Sequence, residues 1–209
     1  ASDLLDALPF SLTNAQCRVI EEIRADFKKG LPMLRMVQGD VGSGKTLVAA
    51  MAALDIASAK YQVAVVAPTE ILAEQHFRNF SQWLSPLGIT ITWLVGKLTS
   101  VQRREALGAI ATGEANVIVG THALFQEDVS FSSLGLAIID EQHRFGVDQR
   151  MTLRKETQSG EVPHQLVMTA TPIPRTLAMT AYSELDYSVI DELPPGRTPI
   201  TTALVSQGR

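Results

Sequence analysis

The segment from Gly39 to Thr46 constrains this sequence most, because it matches the pattern G-x-x-x-x-G-K-T without a gap. Its glycines allow the backbone to curl tightly enough for successive N–H groups to point inward at a phosphate. Lys45 would bring a cation to the β- and γ-phosphates, and the following helix would add the positive end of its dipole. The predicted nucleotide-binding residues of this loop are Gly39, Asp40, Val41, Gly42, Ser43, Gly44, Lys45 and Thr46.

Short apolar runs alternate with helical stretches along the whole chain. The predicted strands are Met33–Val37, Val63–Ala67, Ile89–Leu94, Val117–Val119, Leu136–Ile139, Leu166–Met168 and Ser188–Ile190. The predicted helices are 13–29, Leu47–Ala59, Glu70–Leu84, Ser100–Ala111, Val147–Lys155 and Arg175–Ala181. Wholly apolar strands separated by helices are typical of a parallel sheet covered on both faces. The predicted fold is therefore α/β, a three-layer RecA-like P-loop domain with a mostly parallel central sheet and helices on both faces.

The composition fits one folded domain. The chain has 209 residues, of which 45% are apolar and 19% charged, which is typical of a protein with a full hydrophobic core. It has no run of 18 apolar residues, so no membrane-spanning helix is predicted. It begins without an initiator methionine or a signal peptide, so we expect part of a longer cytoplasmic protein. The net charge of −4 gives no general support for nucleic-acid binding, so any such contact must be local.

The first predicted helix carries the single cysteine, Cys17. Thr13 is the predicted N-cap, and the predicted apolar face consists of Cys17, Ile20, Ile23, Ala25 and Phe27. Because the chain has no second cysteine, we expect Cys17 to be a buried, inert thiol. The two tryptophans, Trp83 and Trp93, are predicted to pack in the core.

An acidic pair follows the loop after about ninety residues. Four apolar residues, Leu136–Ile139, place Asp140 at the C-terminal tip of a buried strand, beside the phosphate loop in this fold class. Asp140 and the Thr46 hydroxyl would hold Mg²⁺, and Glu141 would orient and deprotonate the attacking water. A solvated acidic turn is the alternative for an isolated pair. The other histidines before and after this pair, His76, His122 and His164, do not have metal-ligand spacing.

Asp140, Glu141 and His143 form an Asp-Glu-x-His pattern that resembles motif II of the first motor domain of superfamily 2 helicases and translocases. Other segments resemble that family's motifs in the same order: Phe10–Gln16 the Q motif, Pro68–Glu70 motif Ia, Gly120–His122 motif Ib and Thr169–Pro172 motif III. The resemblance implies an ATP site that includes Phe10 and Gln16, with the Gln16 amide at the adenine edge. It also implies a catalytic role for His143, although such a histidine is often only a hydrogen-bond bridge.

The resemblance further implies contacts with the nucleic-acid backbone by Thr69 and Thr121, which follow strand ends. Each of these threonines alone is more often a helix cap. Gly96 and Lys97 are a further candidate contact, with an ordinary turn as the alternative. At a strand tip, Thr169 and Thr171 would couple the ATP site to the DNA site; the sequence suggests bonds to Asp140, Glu141 or His143.

Three longer blocks are similar to bacterial ATP-dependent helicases that act on branched DNA: Asp140–Val147, Met168–Ala178 and Leu193–Arg197. Transcription-repair coupling translocases of the Mfd type share the first two blocks and remain an alternative. The resemblance implies ATP and Mg²⁺ as cofactors, branched or duplex DNA as the partner, and a bacterial, nucleoid-associated protein. Residues 1–196 would form the ATP-binding domain, and residues 197–209 a linker and the start of a second RecA-like domain.

Neither a second RecA-like domain nor the DNA-wedge domain of that family is recognisable in the sequence. We therefore expect a monomeric fragment that binds nucleotide and hydrolyses very little of it, since the second domain supplies arginines for catalysis. Two other function classes stay open. A small-molecule kinase would need an arginine-bearing lid, which is not evident, and a nucleotide-gated module would bind a protein in place of DNA.

Overall fold

The structure is a computed structural model that describes residues 11–140, 162–171 and 185–192. Its helices are α1 (Asn14–Phe27), α2 (Lys45–Ser58), α3 (Glu70–Leu84) and α4 (Ser100–Thr112). Its strands are β1 (Leu34–Gly39), β2 (Gln62–Val66), β3 (Ile91–Leu94), β4 (Val117–Gly120), β5 (Leu134–Asp140), β6 (His164–Thr169) and β7 (Asp186–Ile190). Short 3₁₀ turns occur at Ser85–Leu87 and His122–Phe125.

The seven described strands form one sheet in the order β3-β4-β2-β5-β6-β1-β7, and every neighbouring pair is parallel. The carboxyl ends of the strands therefore meet at one edge, where ligands bind in open α/β sheets. We call the ends of β5, β6 and β1 the nucleotide side of this edge, and the ends of β3, β4 and β2 the outer side.

Helices cover both faces of the sheet, as predicted. Val63 and Val65 of β2 belong to the larger core, which also contains buried residues of α1, α2 and α3. The alternate β2 residues, Ala64 and Val66, belong to a second core on the opposite face, which contains the buried residues of α4. Because successive side chains of a strand point to opposite faces, one apolar strand supplies both cores. The three-layer α/β prediction is confirmed.

The buried face of α1 differs from the predicted one. Its buried residues are Ala15, Gln16, Val19, Ile20, Ile23 and Asp26, which follow helical spacing. Cys17 is exposed, so the prediction of a buried thiol is wrong. Ala25 is exposed as well. Apolar character alone does not give the inward face of α1, because two polar residues, Gln16 and Asp26, are also buried and determine how the helix is rotated.

The other predicted elements within the described ranges occur with small changes at their ends. Strand β5 begins at Leu134, two residues before its predicted start, and Trp83 and Trp93 are half-buried at the rim of the core. The predicted helices Val147–Lys155 and Arg175–Ala181 lie outside the described residues. Among the helices of the described ranges, none combines the length and the apolar character needed to cross a membrane.

Candidate functional site

The phosphate loop joins the buried strand β1 to helix α2, as the sequence predicted. Gly42 and Gly44 have φ of 81° and 85°, in the left-handed region that favours glycine. Gly44 is the N-cap of α2, and no side chain caps that helix end. A Cβ on Gly44 would also lie 2.2 Å from the Nε2 atom of Gln16. The last glycine of the motif is thus required both by backbone conformation and by a close neighbour.

Lys45 folds back over the loop. Its ammonium group donates hydrogen bonds to the carbonyl oxygens of Gly39 and Asp40, the second at 3.0 Å. The neighbouring Ser43 is buried, and its hydroxyl has no hydrogen-bond partner among the described residues. Val41, in contrast, is 75% exposed at the outer part of the loop. A cation and an uncapped helix end therefore lie together, as an anion site requires.

Gln16 links helix α1 to the phosphate loop. Its Oε1 accepts a 2.9 Å bond from the Thr13 N–H, and its backbone N–H donates to the Thr13 hydroxyl, which completes a capping box. Its Nε2 donates a 2.8 Å bond to the carbonyl oxygen of Ser43. Gln16 as a whole is 3% exposed. Because its amide bonds to Ser43, it lies directly beneath the loop. Its predicted contact with adenine stays a prediction.

The sheet order brings motif III between the two halves of the nucleotide side. Strand β6 lies between β1 and β5, with Thr169 opposite Gln38 and Met168 opposite Asp140. Thr169 is buried, and its hydroxyl lies 2.9 Å from the Thr171 hydroxyl. Within the described residues this pair, and not a Thr169–Asp140 bond, is the contact that forms. Thr169 nevertheless occupies the strand tip between the phosphate loop and Asp140.

Asp140 ends β5 and pairs with a residue that sequence reasoning missed. The Nε2 of His76, on α3, lies 2.7 Å from the Oδ2 of Asp140, and both side chains are largely buried. In the sequence, His76 stands out only as one of three histidines without metal-ligand spacing. The missed signal is its helical phase, because His76 lies on the same face of α3 as the buried residues Ala73, Phe80 and Leu84. A histidine at a core position near strand tips needs a polar partner.

The candidate DNA residues lie on the outer side. Thr69 follows β2, Gly96 and Lys97 follow β3, and Thr121 follows β4, and these three strands are neighbours in the sheet. Lys97 pairs with Glu70 at 3.0 Å, so the turn after β3 contacts the start of α3. The structure thus brings three of the four residues together on one surface. The fourth, Thr121, lies at the adjacent strand tip.

The surroundings of the two threonines, Thr69 and Thr121, bear on the predictions. The Thr69 hydroxyl accepts a 3.3 Å bond from the Leu72 N–H and caps α3, which was the alternative to DNA contact. Thr121 is 2% exposed, and its hydroxyl is buried without a hydrogen-bond partner in the described part of the chain. A phosphate contact by the Thr121 hydroxyl would therefore require the neighbouring surface to open.

Other predicted site residues cannot be placed in the same way. Phe10, Glu141 and His143 lie outside the described residues, as do the segments 141–147 and 172–178 of the longer similarity blocks. In the ranges that the structure describes, no three His, Cys, Asp or Glu side chains are grouped as ligands for a metal ion. Of the two residues that the sequence motifs assign to a cation, Thr46 lies in the first turn of α2 and Asp140 at the end of β5.

Helix α1 is also tied to the last described strand. Arg18 donates to the Val189 carbonyl oxygen and to Asp191, and the Glu192 carboxylate accepts a 3.0 Å bond from the Ala15 N–H. This last bond satisfies one of the N-terminal donors of α1 that lack helical partners. The chain leaving β7 is therefore bound to the end of the helix that carries Gln16.

A buried ion pair fixes the opposite end of α1. The guanidinium of Arg35, on β1, lies 2.6 Å from Asp26, and Lys29 lies 2.6 Å from the same carboxylate. Burial opposes the charge of Asp26, but hydrogen bonds from Arg35 and Lys29 outweigh it and hold the pKa of Asp26 below its usual value. At the same end of the sheet, burial lowers the pKa of His164, whose Nδ1 accepts the Met33 N–H.

A glycine-rich loop at a helix N-terminus, with an acidic strand tip two strands away in a parallel sheet, defines a P-loop nucleotide-binding domain of the RecA type. The chain belongs to the DEAD/DEAH box helicase family, which it matches over residues 13–180.

Comparison with individual proteins confirms the resemblance to helicases of branched DNA. The chain is 62% identical over 206 residues to the ATP-dependent DNA helicase RecG of Haemophilus influenzae, covering 98% of this chain and 30% of that protein. It is 61% identical to RecG of Escherichia coli K12, covering 99% of this chain and 30% of that protein. A structure of RecG bound to a three-way DNA junction superposes with a TM-score of 0.83 at 44% identity, covering 95% of this chain and 26% of that one. The chain thus spans about a third of the length of these relatives.

Proposed function

We propose that this chain is the ATP-binding half of an ATP-dependent DNA translocase that acts on branched DNA. The observation that carries the proposal is the arrangement of the phosphate loop, Thr169 and Asp140 at the carboxyl ends of three consecutive neighbours in the sheet, β1, β6 and β5. Family membership and the similarity to RecG support it. The RecG structure solved with a three-way DNA junction supports branched DNA as the class of substrate.

The described residues fit Mg²⁺ together with the phosphates of ATP. Hydroxyl and carboxylate oxygens, as Thr46 and Asp140 supply, are the donors that this hard cation takes. The uncapped N-terminus of α2 leaves a helix end for the phosphates. When bound, Mg²⁺ would neutralise phosphate charge as the terminal phosphoryl group is transferred. Thr46 and Asp140 are thus the residues that would hold the ion.

The protein's own groups would bind and orient the nucleotide. Lys45 would exchange its bonds to the Gly39 and Asp40 carbonyl oxygens for bonds to the β- and γ-phosphates. Gln16 would hold the loop through Ser43 and use its remaining amide hydrogen-bonding capacity at the adenine edge. Glu141, the residue after Asp140, would take the proton from the attacking water, with His143 beside it. Phe10 would pack against the adenine base of ATP.

DNA would contact the outer side of the sheet edge. Backbone N–H groups and hydroxyls at strand ends bind phosphates without reading sequence, which suits a motor that moves along DNA. The adjacency of Thr69, Gly96 and Lys97 supports one such surface. Because Lys97 is paired with Glu70, DNA phosphate would have to compete with that carboxylate for its ammonium group.

The remaining parts of the proposal concern the whole protein. Residues 1–196 would form the ATP-binding domain, and 197–209 a linker into a second RecA-like domain that completes the ATP cleft. A DNA-wedge domain of the same protein would be a further partner. We propose that the 209-residue chain is itself monomeric and that the whole protein is in the bacterial cytoplasm, close to the nucleoid. The identity to RecG over nearly the whole chain favours this assignment over an Mfd-type translocase.

Nucleotide and DNA binding by the 209-residue chain test the proposal. A fluorescent ATP analogue should bind in the presence of Mg²⁺, and the affinity for a fluorescent three-way junction should fall as salt rises, since phosphate contacts release counterions. A chain that binds ATP but no DNA at low salt would favour the protein-interaction module. A chain that binds no nucleotide would refute the P-loop assignment.

Hydrolysis gives a second test. Without the arginines of a second domain, this chain should bind Mg-ATP and hydrolyse almost none, because an arginine finger typically contributes about 10³–10⁵ in rate. Branched DNA should then change turnover very little. Strong stimulation by DNA would show that the domain is catalytically complete by itself.

A further inference from the structure

The bond between His76 and Asp140 joins two sites that the sequence motifs treat separately. His76 is on α3, whose first turn begins at Thr69 on the outer side of the sheet edge. Asp140 is at the end of β5, on the nucleotide side. The two residues are 64 positions apart in sequence, yet the Nε2–Oδ2 distance is 2.7 Å.

The surroundings of His76 determine what its ring can do. A carboxylate only accepts hydrogen bonds, so the Nε2 atom of His76 carries the proton and donates a hydrogen bond to Asp140. The Nδ1 atom is buried and has no partner among the described residues. A proton on Nδ1 would be a buried donor without a partner, which is costly, so the geometry favours the tautomer with the proton on Nε2. The Phe80 ring packs edge-on at a centroid distance of 6.4 Å and limits rotation of the imidazole.

We propose that His76 is a positioning residue for the metal-binding carboxylate of Asp140, and that it makes α3 the link between DNA contact and the ATP site. This inference rests on the proposed function. A histidine donor on one carboxylate oxygen fixes the direction of the other lone pairs, as partners behind a metal ligand usually do. Thr69 and His76 are seven residues apart on one rigid helix, a separation of about 10 Å along the helix axis. A displacement of the capped end of α3 by DNA would therefore move the donor that orients Asp140.

The alternative is that His76 is only a polar residue satisfied in the core. The two roles differ in what they predict for Mg²⁺. A positioning role requires that removal of the donor weakens the effect of Mg²⁺ on nucleotide binding. A packing role requires only a loss of folding stability, which any large buried side chain on the same face of α3 would share.

The test measures binding of a fluorescent ATP analogue to the 209-residue chain as Mg²⁺ is increased, together with binding in EDTA. His76→Leu and His76→Met remove the donor, and the flexible Met side chain refills the buried space if Leu does not fold. Each should raise the Mg²⁺ concentration for half-maximal tightening by about 10–100-fold, with little change in metal-free affinity. His76→Gln keeps an N–H donor and should restore most of the Mg²⁺ dependence.

Leu84→Ala is the matched control, because Leu84 is fully buried on the same face of α3, about two turns beyond His76. It should lower the melting temperature and leave the Mg²⁺ dependence unchanged. The inference is overturned if the folded His76→Leu or His76→Met variant shows wild-type Mg²⁺ dependence, or if Leu84→Ala shifts it equally. It fails together with the proposed function only if the wild-type chain binds no nucleotide. Lys45→Ala should weaken nucleotide binding in both EDTA and Mg²⁺, which identifies the measured binding as that of the phosphate loop.

Discussion

Replacing Gln16 with alanine should affect both the stability of the domain and its choice of nucleotide, and the structure provides an internal control. Helix α4 begins with the same capping box as α1, formed by Thr99 and Gln102. Gln102 accepts the Thr99 N–H at 3.1 Å, but it is exposed and has no contact with the phosphate loop. Gln102→Ala therefore removes only hydrogen bonds within its capping box, whereas Gln16→Ala also removes the bond to Ser43.

The magnitudes follow from the bonds that are lost. The capping bond contributes about 0.5–1.5 kcal/mol in either helix, because it is one neutral hydrogen bond. In Gln16→Ala the buried Ser43 carbonyl also loses its donor, and leaving such a group unsatisfied costs about 1–3 kcal/mol. The free energy of unfolding should therefore fall about 1–3 kcal/mol further in Gln16→Ala than in Gln102→Ala. For a chain of this size, each kcal/mol corresponds to a melting-temperature change of roughly 2–4 °C.

Urea and thermal unfolding of the two variants without nucleotide measure the stability difference. Titration with ATP and with GTP then measures the base preference, which should decline in Gln16→Ala and stay at the wild-type ratio in Gln102→Ala. Equal loss of stability in the two variants would show that the Ser43 bond is unimportant. An unchanged ATP/GTP ratio in Gln16→Ala would refute its role at the adenine edge, and Gln16 would then be a structural residue of the loop.

Three further changes test the site and the ion pair beneath it. Lys45→Ala should weaken ATP binding about 10- to 150-fold in a fluorescence titration, since a charge-assisted bond of this kind contributes about 1.5–3 kcal/mol; unchanged affinity would contradict the phosphate-loop assignment. Glu141→Gln in the full-length protein should keep ATP bound but stop hydrolysis, because an amide takes no proton from water; near-normal turnover would show another base. Asp26→Asn should lower the free energy of unfolding by about 1.5–3 kcal/mol at neutral pH, because Arg35 loses its shortest ion pair and keeps the longer ones to Glu22 and Asp186. The lowered pKa of Asp26 means that its stabilisation is complete above the ordinary carboxyl pKa and is lost as pH falls through the folded-state value, so Asp26→Asn should flatten the acid side of the stability curve, as unfolding midpoints across acidic pH would show.

The sequence predicted the parallel sheet because its strands are almost wholly apolar, and the phosphate loop because glycine, lysine and threonine are required at fixed spacing. Strand order was not predictable in the same way. The positions of β6 between β1 and β5, and of β4 between β3 and β2, depend on crossovers that span the molecule. That order nevertheless decides that Thr169 lies between the loop and Asp140.

Individual side-chain partners were the least predictable part of the site. Cys17 is exposed and Asp26 buried because α1 turns its polar Gln16 and Asp26 inward, toward Ser43 and Arg35. The His76–Asp140 bond was missed for a similar reason. A short-range pattern gives no information on a contact between residues 64 positions apart, and a buried histidine is recognisable only once the helix face is known.

The bond from the Ala15 N–H to Glu192 has a consequence for how the two ends of a motor domain communicate. The first turn of α1 serves at once as the support of the phosphate loop, through Gln16, and as the anchor of the chain that leaves β7, through Glu192 and Arg18. Coupling free energies are reciprocal, so a nucleotide that tightens the first turn of α1 must also strengthen the hold on Glu192. An outward pull that breaks the bond to Glu192 must weaken nucleotide binding by the same coupling free energy. The affinity of the ATP site should therefore depend on the pull that acts on the chain after β7.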